Sequence, residues 1–420
     1  MADVKNKLYV ADNLDVLHGM NSNTVDLIYL DPPFNSKRMY SAPIGTAKGV
    51  VEAGFHDIWN WDDDVDIRLE SFLDSNPHLF AYIDLVGHIH GLAMKAYLTF
   101  MAQRIIEMHR VLKDIGSLYL HCDPTASHYL KIILDWVFGK DNFRNEVVWS
   151  YRRWTAGNKN FQRMHDIIFR YTKSDQFAFN VQYEPYGDWI KKDYSYTDKD
   201  GRRWRWHTVK GNRYKVYLED ENKGVKLNDV WQIPYLGSTA KERTGYPTQK
   251  PLALLDRIIS ASSNPGDLVM DPFCGCATTC VAAQNLHRKW IGIDVSDVAV
   301  DLVATRLQYD EGGQVKMFQD FLPLKTLPIR TDQTKLTWDK KQIREHFYGK
   351  QNGSCNGCGE HFTHARHFHI DHIHPKSKEG GWVLENLQLL CGSCNSIKGN
   401  RPMEYLLKTI KARRSQQQIY

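Results

Sequence analysis

Two stretches of this 420-residue chain carry residue types that could do chemistry. In LDPPFNSKRMY (residues 30–40) an acid is followed by two prolines and an aromatic ring, Asp31-Pro32-Pro33-Phe34. Neighbouring prolines do not fit inside a strand or a helix. The cluster therefore gathers a side-chain acceptor, rigid carbonyls without an intervening amide donor, and a ring. It suits a planar ligand with an exocyclic amine, such as an extruded base. Asp31 and the Pro32 carbonyl would accept the two N–H protons, which steers the nitrogen lone pair toward an electrophile, while Phe34 stacks on the ring. The bland alternative is a simple turn. In the tail, Cys355/Cys358 and Cys391/Cys394 form two CxxC pairs, and four thiolates are enough to close a tetrahedral structural zinc site.

The elements around the first stretch are those of an α/β sheet. TVDLIYLD (24–31) is a continuous β-branched and aromatic run, which reads as a strand buried on both faces. Its acid then lies at a strand's carboxyl end, where open α/β sheets bind ligands. Met94, Leu98, Met101, Ile105, Met108 and Leu112 recur on one helical face, and Gly116 opens the short strand SLYLH. Strand-helix alternation returns at 267–309. There DLVMD precedes a turn with Gly275, a helix from about Thr278, the strand WIGID and an amphipathic segment ending near Leu307. A glycine turn between strand and helix lets backbone amides approach an anionic group. Asp294, at the end of the next strand, stands where an acid takes ribose hydroxyls in nucleoside-binding units. Residues 180–245, rich in Trp, Tyr, Lys and Arg, read as an inserted β-rich module. FLPLKTLPIRTDQTK (321–335) reads as a linker into a small C-terminal domain.

Composition narrows the class. No apolar run approaches the ~18 residues needed to span a bilayer, and the N-terminus lacks a secretory pattern, so the expectation is a cytosolic protein without a membrane partner. The net charge of +5 is unevenly placed: residues 340–420 hold 13 Lys/Arg against 6 Asp/Glu, or +7, which leaves −2 for the rest. The basic end is the candidate polyanion contact. Cys122, Cys274, Cys276 and Cys280 lack ligand spacing and read as small buried hydrophobes.

Taken together, DPPF, the aromatic insert, YPTQKP (246–251), DPFCGCATT (271–279) and GID (292–294) resemble, in content and order, the beta arrangement of S-adenosylmethionine-dependent DNA amino-methyltransferases. The resemblance implies a Rossmann-like α/β fold with an inserted target-recognition region. It assigns catalysis to Asp31, Pro32, Pro33 and Phe34, and cofactor binding to Asp12, Thr248, Lys250, Asp271, Phe273, Gly275 and Asp294. Where the family has FCGSGTT this chain has Cys276 for Ser and Ala277 for Gly, which stiffens the turn. Carbon-5 methylation of cytosine needs a Pro-Cys nucleophile, and the dipeptide does not occur. Asp31 with Asn35 and Ser36 looks more like adenine N6 enzymes than cytosine N4 enzymes, which are the alternative.

The tail, CNGCGEHFTHARHFHIDHIHPKSKEGGWVLENLQLLCGSCNSIKGNR, is similar to HNH nucleases. Their ββα-metal fold implies Asp371 and Asn395 as ligands of a divalent cation such as magnesium. It also implies His372 as the general base and Asn386 as the residue that orients it. The divisions are then 1–180 and 246–320 for the methyltransferase, 181–245 for target recognition, 321–336 for the linker and 337–420 for the HNH domain. The combined expectation is a single-chain restriction-modification enzyme on double-stranded DNA, prokaryotic or phage-encoded, with a homodimer left open. Two rivals stand beside it: a methyltransferase whose tail is an inert zinc clamp on DNA, and a DNA-binding regulator without chemistry.

Overall fold

The computed structural model describes residues 6–34, 38–46, 49–57, 69, 72, 76–153, 159–187, 190–219, 224–237, 239–307, 321–332, 339–376 and 381–417. Asn35 and Ser36 lie outside these. A nine-stranded sheet runs Val230–Gln232, Phe143–Ser150, His165–Thr172, Leu112–Cys122, Val25–Leu30, Leu268–Asp271, Lys289–Asp294, Asn6–Val10 and Phe321–Leu324. From Leu112–Cys122 to Phe321–Leu324 all pairings are parallel, and His165–Thr172 is antiparallel to both neighbours. Every residue of Val25–Leu30 is buried, as a strand covered on both faces requires.

Helices pack on both faces. Leu92–Val111 buries Met94, Leu98, Met101, Ile105 and Met108 in one cluster with Leu17, Ile28 and Leu30, while Leu254, Leu255, Ile258 and Ile259 of Leu252–Ser262 cover the other face. The strand after Leu92–Val111 begins at Leu112 rather than after Gly116. Gly116 sits inside it, because a Cβ there would come within 2.9 Å of the Asp26 carbonyl oxygen. The four cysteines expected to be buried are buried and free. Among the described residues no helix is long and apolar enough to cross a membrane.

The insert is β-rich: Arg203–Val209 pairs with Asn212–Tyr217 and Tyr196–Thr197, and Val225–Lys226 with Tyr183–Glu184. It returns to the main sheet earlier than its composition suggests, since Val230–Gln232 is that sheet's edge strand. The stretch expected to be a linker is also partly built into the sheet. Phe321–Leu324 pairs with Asn6–Val10. Beyond it, Asn21 bonds Thr331, and Asp332 accepts the Ser22 amide at 2.7 Å. Pro323 misleads here because an edge strand tolerates proline.

The tail domain is small. Phe368–His372 and Leu387–Cys391 form an antiparallel pair, followed by the helix Gly392–Lys398. Ile343 and Phe347 of the helix Lys340–Lys350 complete its core. Asp339 opens that helix with a capping box.

Candidate functional site

Four neighbouring parallel strands end in acids on the same side of the sheet: Asp12 after Asn6–Val10, Asp31 after Val25–Leu30, Asp271 and Asp294. A cavity of about 470 Å³ opens there. All eleven residues assigned to methyl transfer or cofactor binding line it, namely Asp12, Asp31, Pro32, Pro33, Phe34, Thr248, Lys250, Asp271, Phe273, Gly275 and Asp294.

Each acid is held differently. Asp12 caps the helix Asn13–Gly19 through the Leu14 amide and takes a forked pair of bonds from Arg104 at 2.8 and 3.0 Å. Asp271 is buried and accepts from the Thr279 hydroxyl and, at 3.0 Å, from the Phe273 amide. Burial pushes its carboxyl up to about 7, and the charges of Asp31 and Asp294 add to that. Asp294 accepts from the amides of Gly275 (2.9 Å) and Ser296 (2.8 Å), which ties the glycine turn to the next strand. Burial raises its carboxyl as well, with those amides opposing.

Asp31 is the most constrained. Its Oδ2 pairs with the ammonium of Lys250, and its buried Oδ1 has no hydrogen-bond partner. Lys250 also donates to the Thr248 carbonyl at 3.2 Å and lies 5.6 Å from the centre of the Phe34 ring. Thr248 adopts φ +63°, a conformation that a β-branched residue reaches only under constraint. Ala277, the substituted turn residue, is left-handed as well, at φ 59° and ψ 37°. The stiffening expected from the sequence is thus a residue held where glycine would be unstrained.

In the tail, the sulfurs of Cys355, Cys358, Cys391 and Cys394 all lie within 4.8 Å of one another. Cys358 and Cys391 are 3.8 Å apart, the edge of a tetrahedron with Zn–S bonds of about 2.3 Å. The amides of Gly357 and Cys391 point at Cys355 Sγ, at 3.4 and 3.1 Å. This donor set fits zinc.

The neighbouring HNH-type residues are arranged less openly. Asp371 is buried, accepting from Gln388 at 2.9 Å and pairing with the fully buried Lys398 at 3.0 Å. Lys398 also holds the His372 carbonyl at 2.7 Å. Asn395 stands one helical turn before Lys398. His372 has its ring 5.2 Å from that of Trp382, and its buried Nε2 has no partner; burial lowers its pKa, against the charge of Asp371. Asn386 does not bond that ring. Its side chain clasps the backbone of His374 (2.7 and 3.1 Å) and the Gly381 carbonyl (2.9 Å).

Residues 25–305 match the DNA methylase family. The chain belongs to that family. Residues 355–401 match the HNH endonuclease family, so a methylase domain is joined to an HNH domain. The methylase part is similar to the type II methyltransferase M.EcaI of Enterobacter cloacae, 32% identical over 55% of this chain and 60% of that one. It is also similar to the type II methyltransferase M.HpaI of Haemophilus parainfluenzae (26% identical; 73% and 76% covered). A third relative is the DNA adenine methyltransferase YhdJ of Escherichia coli (28% identical; 70% and 80% covered). The chain thus spans less than two thirds of M.EcaI and more of the other two.

Sequence reasoning missed a second layer of the methylase site. His121 and Asp166 lie behind Asp31, with Tyr29 and Tyr151. The only signal was a titratable side chain within each of two strand-like runs, His121 in SLYLHC and Asp166 in HDIIFRYT.

Proposed function

We propose that this methylase transfers a methyl group from S-adenosylmethionine to the N6 amine of adenine in double-stranded DNA, and that its HNH domain cuts DNA. The observation that carries the first part is the convergence of Asp12, Asp31, Asp271 and Asp294 on one cavity with Pro32 and Phe34. A volume of about 470 Å³ suits a nucleoside-sized ligand. Asp294 and Asp12 keep lone pairs free for hydroxyl and amine protons, and the Gly275 turn brings backbone close to the ligand. The cofactor supplies an electrophilic methyl carbon when bound.

The chain's own residues do the rest. Asp31 and the Pro32 carbonyl orient an extruded base by its amine, Phe34 covers the ring, and Lys250 fixes the Asp31 carboxylate. The exposed Trp206, Tyr196 and Tyr214 on the insert's sheet offer stacking surface beside Arg213 and Lys215, as a reader of DNA requires. In the tail, the cysteines hold zinc, and Asp371 and Asn395 take a divalent cation beside the scissile phosphate. A carboxylate offers about four lone-pair sites, so Asp371 accommodates a cation alongside Gln388 and Lys398. His372 activates water.

The test is nucleoside mass spectrometry with methylation mapping on DNA from a methylation-free host expressing the chain. N6-methyladenine in one sequence context is expected; N4-methylcytosine, or no modified base, overturns the reading. For the tail, His372→Ala should abolish magnesium-dependent cutting of unmodified DNA and leave methylation intact. Wild-type protein that never nicks such DNA with any divalent metal removes the nuclease.

A further inference from the structure

Beneath Asp31 runs a line of buried polar groups that the reaction above leaves unused. His121, near the end of Leu112–Cys122, is fully buried. Its Nδ1 lies 2.8 Å from the Tyr29 hydroxyl and 3.9 Å from Asp31 Oδ1. Its Nε2 lies 3.3 Å from Asp166 Oδ2. Asp166 Oδ1 accepts from the Tyr151 hydroxyl at 3.3 Å. The rings of Phe34 and Trp149 close the sides, 5.8 and 5.5 Å from the imidazole. An imidazole placed this way carries its proton on Nε2, donates it to Asp166, and presents the Nδ1 lone pair to Tyr29 and Asp31. Burial pushes the Asp166 carboxyl up, but the hydrogen bond from His121, with Lys250 and Tyr151 behind it, outweighs burial and holds it low. Asp166 is therefore an anion facing the ring.

An amine that gains a methyl group must shed a proton, and in this crevice the exits are few. Lys250 occupies Asp31 Oδ2, whereas Oδ1 has no partner and faces His121. We infer that His121, backed by Asp166, relays away the proton that Asp31 receives from the target amine. This inference rests on the methyl-transfer reading and deepens it. As the N–CH3 bond forms, the S–CH3 bond breaks and its electron pair stays on sulfur. One N–H bond then breaks and an O–H bond forms on the Asp31 carboxylate, whose Oδ1 faces His121. That proton passes to His121 Nδ1, and the imidazolium rests between the Asp31 and Asp166 carboxylates while the Tyr29 hydroxyl turns to accept. His121 does not touch the base; it acts through Asp31.

The groups facing His121 are Tyr29 and Asp31 from one strand end, Asp166 with Tyr151 from the antiparallel strands, and Lys250 beyond Asp31. The experiment is single-turnover methyl transfer across pH in the full chain, comparing wild type, His121→Gln and Asp166→Asn. Cofactor binding is measured by calorimetry and the imidazole titration by NMR. His121→Gln should slow transfer about 100-fold, the usual scale of one acid-base group, and remove the limb of the pH profile that follows the ring. Asp166→Asn should slow it less, move that limb to lower pH, and lower the ring's titration in the protein without ligands. Cofactor affinity should hold in both. Should His121→Gln fail to fold, Asp166→Asn, whose site is partly exposed, decides. Variants that keep the wild-type rate and profile overturn the relay alone. Wild-type protein that transfers no methyl group overturns the functional reading and the relay with it.

Discussion

Lys250 crosses 219 positions of sequence to pair with Asp31. Both side chains are nearly out of solvent, 10% and 17% exposed. The pair joins the segment after the insert to the strand end that carries Asp31-Pro32-Pro33-Phe34. Removing one member of such a pair strands the other, at a cost of about 3–5 kcal/mol. Lys250→Met should therefore lower the stability of the methylase domain by that order in urea unfolding. Asp31→Asn added to it should restore much of the loss. Two single variants whose effects simply add would show that the pair contributes no coupling.

The left-handed Ala277 makes a smaller, opposing case. Relieving its backbone strain is worth roughly 1–2 kcal/mol, while deleting its buried methyl costs about 0.8 kcal/mol. Ala277→Gly should thus leave stability unchanged or raise it by up to about 1 kcal/mol. Ala277→Val should destabilise, because a branched side chain fits neither the conformation nor the space. Denaturation midpoints check both, and a Gly variant markedly less stable than wild type would refute the strain.

Zinc should be required for the tail domain and dispensable for the rest. Cys355→Ser, or a strong chelator, should expose residues 340–417 to proteolysis while the methylase domain stays resistant. Metal analysis of the purified chain should give one zinc per molecule, lost in that variant.

Asp271 gives a pH dependence with a definite sign. Its folded carboxyl is pushed up to about 7, chiefly by burial, from an ordinary 3.8. The unfolded chain therefore ionises first as pH rises. This residue's contribution to stability is complete below about pH 3.8 and lost as pH climbs through about 7. Melting temperatures of the wild type should fall between pH 5 and 8 more steeply than those of Asp271→Asn. Parallel slopes would contradict the burial argument.

How much of this was legible in the sequence depended on local stops. Asp31, Asp271 and Asp294 could be placed because Pro-Pro and a glycine turn mark where strands end, and the order of motifs located the cavity. His121 and Asp166 could not be placed. Only the antiparallel pairing of Leu112–Cys122 with His165–Thr172 brings them together, and no spacing encodes that register. The partner of Lys250 was hidden for the same reason. Asn386 was legible by position yet not by contact, since its side chain binds backbone two residues past His372.

The strand Phe321–Leu324 bears on how the chain can be divided. It covers Asn6–Val10, whose outer row of amides and carbonyls would otherwise face water as a template for another copy. A fragment ending at Leu307 exposes that row and invites aggregation, whereas one ending at Asp332 keeps it covered and retains the bonds to Asn21 and Ser22. The severable joint thus lies past the segment that looks most like a tether.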